Sequence, residues 1–510
     1  MTTATTAVTV VTRRRLAPFL AAALVVVAFI ALSSFGAGPG LPLDDGWIHQ
    51  TYARNLAQDG RWAFGASTAS AGSTAPLWTL ILALGYLLRL SPLLWTYLMG
   101  VLALMALIVT AMRLWRVLWP AYVQHDWLVG LALAFSWPLV WAAGSGMETL
   151  LFIALGLLLV VTFLEESAHA WLMGLIAGFL ILARPDGLIL VALVATALSL
   201  QKRWRPLALY SVAALLPLLP YFLFNVTASG VLWPNTFYAK QTEYASLLAR
   251  PLPARFLQLL YFSLGGPEDG WRGLSGAQLL LAPGLFFAAW RALQSDWTRR
   301  RLWRTLPLLW AGGHVLAYAL RLPVTYQHGR YLWAALPVWI LFGLAGWADV
   351  LGLLRRRGRS GRLLAQVGAG AFAVLLLIFL FFGALAYAED VAFVQNEMVD
   401  VALWLQENTQ PGTLVAAHDI GAIGYFARRP ILDLAGLISP QVIPLLQDQA
   451  ALAQLVRRSD AGYLVTAPGW PYDRLTSAQD VRLVYDTGYA WTRGQGLNNM
   501  AVYALPGAAP

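Results

Sequence analysis

Cysteine is absent from this 510-residue chain. That excludes disulfides, thiolate nucleophiles and cysteine-ligated metals. Charge is also scarce: Asp, Glu, Lys and Arg together make up 12% of residues, where soluble domains carry roughly a quarter. The six histidines show no metal-ligand spacing. Internal repeats and low-complexity tracts are missing, and with them solenoid architectures. What fills the chain is apolar: 59% of residues are hydrophobic and the mean hydropathy is +0.62. Many apolar runs reach about 18 residues or more, near the roughly 20 that a helix needs to cross a bilayer. The chain belongs to the membrane class.

A net charge of +10 invites a nucleic-acid reading. The basic residues, however, sit in short clusters between apolar runs: Arg13–Arg15, Lys202–Arg205, Arg299–Arg301 with Arg304, and Arg355–Arg357 with Arg359 and Arg362. This is the positive-inside pattern of a multi-pass protein, not a nucleic-acid face. The first run, Leu16 to Leu32, is too long for a signal peptide and lacks a cleavage site. It reads as an anchor with a cytoplasmic N-terminus.

The sequence predicts a mostly α fold: a polytopic transmembrane bundle over 1–387, followed by a C-terminal extracytoplasmic α/β domain over 388–510. Apolar segments fall at 16–34, 76–90, 93–111, 127–144, 148–163, 171–200, 206–225, 278–293, 305–321, 331–350 and 363–387, giving about eleven crossings. The segment 171–200 is interrupted by Ala183-Arg-Pro-Asp-Gly187. Counting it as one broken crossing keeps the arginine clusters on one side. Two long stretches then lie outside: a first loop at 36–75, opened by the joint Gly36-Ala-Gly-Pro-Gly40, and a second at 226–277. The first loop carries an amphipathic helix from Gly46 to Gln58 and a small, polar tail from Ser67 to Pro76. Beyond 388 a helix to 407 precedes short strand-like runs at Thr413–Ala417, Gly462–Ala467, Val481–Tyr485 and Met500–Leu505.

The most informative residues are Asp44-Asp45, two carboxylates at the water edge of a membrane. A carboxylate there can orient a hydroxyl acceptor and take its proton. An anionic pair also favours an oxocarbenium-like transition state. The competing account makes Asp45 the N-cap of the amphipathic helix. Arg184-Pro-Asp186 reads equally as a self-satisfied buried pair or as part of a site. In Tyr326-Gln-His328-Gly-Arg330-Tyr331, the guanidinium suits a phosphate at the membrane surface, or anchors the helix end. Asn235-Thr-Phe-Tyr238-Ala-Lys240 offers rings for a sugar face and an ammonium for a phosphate, or is an interfacial belt with a snorkelling lysine. Glu148, in the turn Ser145-Gly-Met-Glu148, reads as a cap for the next helix. His418-Asp419-Ile-Gly421-Ala-Ile-Gly424 lacks the full glycine fingerprint of a nucleotide loop and reads as a tight strand-to-helix turn.

Together, DDGWIHQTYARNLAQDGRWAF and AGSTAPLW in the first loop, with GMET, ARPDG, PNTFYAK, HGRY, DIGAIGYF and LDLAGL further on, resemble the C-type glycosyltransferase superfamily. Bacterial arabinofuranosyl- and mannosyltransferase-like members are the nearer likeness. The resemblance implies an integral membrane enzyme that moves a sugar from a polyprenyl-phosphate-linked donor to an extracytoplasmic glycan, lipid or protein acceptor at the plasma membrane. An aspartate of the first loop would be the base, which maps onto Asp44 or Asp45, with Asp44 favoured. Arg330, Arg184 and Lys240, in that order, would meet the donor phosphate. His49, Tyr52, Arg54, Asn55, Tyr238 and His328 would meet substrate. The resemblance implies the polyprenyl-phosphate sugar as donor substrate and fixes no other cofactor; a divalent metal is open, because an aspartate pair can hold Mg2+ or Ca2+ through waters. Nucleic acid is not expected as a partner. The rival reading is a lipid or sugar transporter or flippase, with Arg184 and Asp186 at its broken helix.

Overall fold

The structure is a computed structural model that describes residues 2–65, 70–166, 169–266, 275–298, 302–356 and 358–506. Arg299–Arg301, Arg357 and positions 67–69 of the small polar stretch lie outside the described residues. Each expected apolar segment forms a helix or a broken pair: α1 (Thr2–Ala37), α3 (Pro76–Leu87), α4 (Pro92–Leu118), α5 with α6 (Asp126–Ala134, Trp137–Gly144), α7 (Thr149–Glu165), α8 with α9 (Ala170–Ala183, Leu188–Leu200), α10 (Trp204–Ser229), α13 (Ala282–Thr298), α14 (Leu306–Arg321), α15 (Leu336–Arg356) and α16 (Arg359–Phe393). Between them lie α2 (Asp44–Asp59) in the first loop, and α11 (Asn235–Glu243) and α12 (Leu252–Ser263) in the second. Among the described residues, five helices are long and apolar enough to span a bilayer, or six if Pro120–Ala134 and Trp137–Gly144, bent by 61°, count as one broken span. Others, such as α3, α7, α8 and α9, are apolar but shorter.

Local chemistry sets the breaks. Prolines open α3 and α4, where a missing N–H costs nothing. Arg184 precedes Pro185 and is driven to an extended backbone, φ −157° and ψ 139°, which ends α8. Its side chain therefore leaves the helix axis and turns to the protein interior.

Helix α16 does not stop at the expected edge of the bundle. It runs on through a π-helical turn (Val394–Val399) into α17 (Asp400–Asn408). The tail then builds a five-stranded sheet from β1 (Leu414–Ala417), β2 (Ile431–Asp433), β3 (Ala461–Thr466), β4 (Arg482–Asp486) and β5 (Ala501–Ala504), in the order β2-β1-β3-β5-β4. β1 pairs in parallel with β2 and β3, whereas β5 lies antiparallel to β3 and β4. The three-residue β2 was too short to show in the sequence pattern. Alternation divides the sheet's two faces. Ala416, Leu464 and Tyr503 pack with Val442 and Leu452. Val415, Val465 and Val502 face the other way, into a core shared with Leu41, Trp47, Tyr52 and Phe64 of the first loop. The tail and the first loop are thus joined through one apolar core.

Glu397, fully buried in the π-helical turn, ties this unit together. Its carboxylate accepts from the Thr487 and Thr492 hydroxyls, from Asn499 Nδ2 at 2.7 Å and from the Met500 amide at 2.8 Å. Glu397→Ala strands four donors, and each buried orphan costs about 1–3 kcal/mol. The variant should unfold its C-terminal unit well below the wild-type temperature, with Glu397→Gln falling between. Protease sensitivity and thermal melting would check this, and an unshifted melt for the alanine variant would contradict it.

Candidate active site

Helix α2 starts at Asp44 with both carboxylates in its first turn, where the helix dipole favours negative charge. Neither acts as an N-cap; Leu43 holds that position and makes no side-chain cap. Asp45 instead forms an ion pair with Arg330. The loop bearing Arg330 is strained, because Gln327, His328 and Gly329 are consecutively left-handed, with φ of 53°, 58° and 69°. Non-glycine residues in that region cost about 1–3 kcal/mol each, a load typical of functional segments. At Gly329 a Cβ would lie 2.1 Å from the Phe262 ring, so only glycine fits the turn. Arg330 is 3% exposed, and one of its N–H groups, Nε, has no hydrogen-bond partner among the described residues. Lys240, on α11, makes no hydrogen bond or ion pair among the described residues. Burial pushes the Asp45 carboxyl up, but Lys240 and Arg330 outweigh it and hold it well below the usual carboxylate range.

These three residues open onto a cavity of about 570 Å³ whose other walls include Ile189, Ala192, Trp233, Phe237 and Leu322. A chain of linked polar and charged side chains also lines it. His49 Nε2 is 3.3 Å from Glu148, whose other oxygen accepts from Arg184 at 2.9 Å. Arg184 also meets Asp186 at 2.9 Å and the Tyr318 hydroxyl at 2.8 Å, and that hydroxyl donates to Asp186 at 2.6 Å. Arg184 is therefore already matched by two carboxylates. Glu148 makes no cap, contrary to the expectation for its turn. It is 2% exposed and joins the first loop to the broken helix. The signal in the sequence was an acid beside an apolar run, which defaults to function in a membrane.

A second cavity of about 490 Å³ lies between the first loop and the tail, lined by Asp44, Glu243, His328, Asp390, Asp419 and Trp470 among others. The two cavities share Asp45, Ile48, Lys240 and Leu437. Asp44 uses both oxygens on backbone amides that follow β1: Gly421 N at 2.6 Å and Ala422 N at 2.7 Å. A Cβ at Gly421 would lie 2.0 Å from the Asp44 carbonyl oxygen, so this docking requires glycine. The strand-to-helix turn is occupied by a carboxylate of the chain itself. His418 contacts the Tyr472 hydroxyl at 3.0 Å and Glu243 at 3.5 Å. His328 Nε2 meets Asp390 at 2.7 Å, and the Trp141 indole donates to the same oxygen.

Burial and then the charge of Asp419 raise the Asp44 carboxyl to about 7, although the two amides pull it down. The folded protein holds this proton more tightly than the unfolded chain. The contribution to stability is therefore full below the ordinary value of 3.8 and is lost as pH rises through about 7. For His418, burial alone would lower the imidazole, but the Glu243 hydrogen bond and the Asp419 charge raise it, so it acts in the same sense. The C-terminal unit should melt at a lower temperature at pH 8 than at pH 5.5, and Asp44→Asn should remove part of that difference. Equal melts for the wild type at both values would refute this.

The remaining sequence candidates line neither cavity. The Tyr52 hydroxyl contacts Ser70 and accepts from the Gly72 amide. Arg54 donates to the carbonyls of Gly424 and Tyr425. Asn55 donates to those of Ala63 and Phe64. These residues brace the first loop and dock it on the tail. Tyr238 packs against Phe237. Among the described residues, no group of three or more His, Asp or Glu comes together to hold a metal.

A family model described as a domain of unknown function (DUF8728) matches residues 386–503. No curated protein matches the chain. Among solved structures, ArnT from Cupriavidus metallidurans in the apo state is similar, with a TM-score of 0.57 at 16% identity, covering 96% of this chain and 98% of that one. The same protein bound to undecaprenyl phosphate gives 0.56 at the same identity and coverage. The Archaeoglobus fulgidus oligosaccharyltransferase, tethered with an acceptor peptide, gives 0.58 at 13% identity, over 89% of this chain and 69% of that one.

Proposed function

From a chain that has the fold of the C-type glycosyltransferases, we propose a multi-pass membrane glycosyltransferase that uses a polyprenyl-phosphate-linked sugar and acts on the extracytoplasmic face. One observation carries the reading: an apolar cavity meets two cations with unused donors, the buried Arg330 Nε and the Lys240 ammonium. A ligand that satisfies both features has a hydrocarbon body and an anionic head. The neighbour bound to undecaprenyl phosphate supports the same ligand class.

Asp45 is our candidate base, because it stands where the two cavities meet. The acceptor hydroxyl attacks the anomeric carbon, the bond from that carbon to the phosphate oxygen breaks, and the hydroxyl proton passes to Asp45. Polyprenyl phosphate leaves with one more negative charge, stabilised by Arg330 and Lys240. A carboxylate held far below its ordinary value is a weak base. Donor binding relieves this, since a phosphate on Arg330 and Lys240 shares the charge that holds Asp45 down. Asp44, with both oxygens engaged, is a positioning residue that fixes the tail against α2. Arg184, matched by Glu148 and Asp186, shapes the cavity rather than adding net charge to it. The transporter reading would be favoured by pseudo-repeats in the two halves of the bundle, and the sequence shows no such repeat.

The test is transfer from a labelled polyprenyl-phosphate sugar by protein in lipid nanodiscs, with undecaprenyl phosphate and undecaprenol compared as ligands by thermal shift. We expect sugar release from the lipid and stabilisation by the phosphate only. Movement of the donor across vesicles without any product would replace this reading with the flippase.

A further inference from the structure

The second cavity has its own chemistry, and it differs from that of the first. Five carboxylates line it (Asp44, Asp45, Glu243, Asp390 and Asp419) against Lys240 and two histidines. Four already have donors from the protein: the amides of Gly421 and Ala422, Arg330, His418, and His328 with Trp141. Asp419 alone has no hydrogen bond or ion pair among the described residues. It stands close enough to Asp44 to disfavour ionisation there. A carboxyl wall already under mutual repulsion is a poor host for further negative charge. The paired carboxylates keep lone pairs free, which suits hydroxyl donors. The half-buried Trp470 adds an aromatic surface on which a sugar can pack. The volume, about 490 Å³, falls within the roughly 300–1,000 Å³ of small-molecule sites.

We infer that this cavity binds the acceptor and selects a neutral, hydroxyl-rich glycan over phosphorylated or carboxylated ones, with Asp419 as the specificity-determining residue. The inference rests on the transferase reading for the word acceptor, but the binding preference stands on the cavity itself. Lys240, His328 and His418 face the same space, so an ammonium entering it would meet cationic groups as well as carboxylates and would have to shed its water. A neutral polyol loses less on entry and meets acceptors on several sides.

The experiment uses the full chain in nanodiscs and reads binding by thermophoresis. The probes are neutral trisaccharides of mannose, arabinose and galactose, their terminally phosphorylated forms, and a glucosamine trisaccharide. At least one neutral probe should bind about tenfold or more tightly than its phosphorylated form, a ratio equivalent to about 1.4 kcal/mol. In Asp419→Asn, which keeps the size and loses the charge, that ratio should shrink severalfold. Equal or tighter binding of the phosphorylated form, preference for the glucosamine probe, or binding of no neutral probe overturns the inference. So does an unchanged ratio in Asp419→Asn. The undecaprenyl phosphate thermal shift on the same preparation reports the donor cavity separately. If that shift fails while the saccharide preference holds, the transferase reading falls and the binding site stands. The opposite pattern removes only this inference.

Discussion

Replacing Asp45 by asparagine should lower transfer by about 10³-fold or more, because the acceptor proton then has no carboxylate to receive it. Asparagine is close in size and can still accept a hydrogen bond from Arg330, so folding and donor binding should survive. The loss should appear in the single-turnover rate rather than in the thermal shift by undecaprenyl phosphate. Asp44→Asn should behave differently. Asparagine offers one oxygen and one N–H₂ to a pair of backbone amides that both donate. One contact is therefore lost, and the amide group faces another donor. The expected result is a less stable C-terminal unit with a smaller loss of rate, of the order of tenfold. If Asp44→Asn abolished turnover while Asp45→Asn retained it, the two roles proposed above would have to be exchanged.

Arg330→Gln is the second large effect. Removing a preorganised charge from a developing anion costs about 10²–10³-fold in rate, and stabilisation by undecaprenyl phosphate should largely disappear with it. The pH profile carries a sharper sign. Arg330 is one of two cations that hold Asp45 below its usual range. Without it the Asp45 carboxyl moves up, and the fall in activity on acidification begins at a higher pH. In the wild type, activity should continue into more acidic solution than in the variant. Measuring kcat/KM from pH 4 to 8 for both proteins decides the matter. An acid limb that stays put in Arg330→Gln would mean that Asp45 is not the titrating base, or that Lys240 alone governs it.

The helical bundle was readable from composition and run length because a bilayer imposes one rule on every crossing: about 20 apolar residues with backbone bonds satisfied internally. The strands of the tail followed from short apolar runs set among turn residues, except β2, whose three residues are too few for any pattern. The first loop was conspicuous for a similar reason, since acids beside lipid are costly. The role of Glu148 was misjudged because its partners, His49 and Arg184, lie 99 and 36 positions away. Local spacing offers only the nearest explanation, a cap. Tyr52, Arg54 and Asn55 illustrate the converse. They are polar and close to the acidic pair in sequence, yet their hydrogen bonds brace the loop and the tail.

By itself, the sequence determined that this is a membrane protein, where its apolar helices run, that a small α/β unit follows them, and that two acids near the first helix need an explanation; helices α11 and α12 of the second long loop were not read from it. Only the tertiary structure decided how those acids divide. Asp44 turns to amides some 377 positions away and Asp45 to a guanidinium 285 away. Neighbouring side chains on a helix point in different directions, about 100° apart. What each one meets is therefore set by the elements packed around the helix, and one-dimensional order carries no record of that.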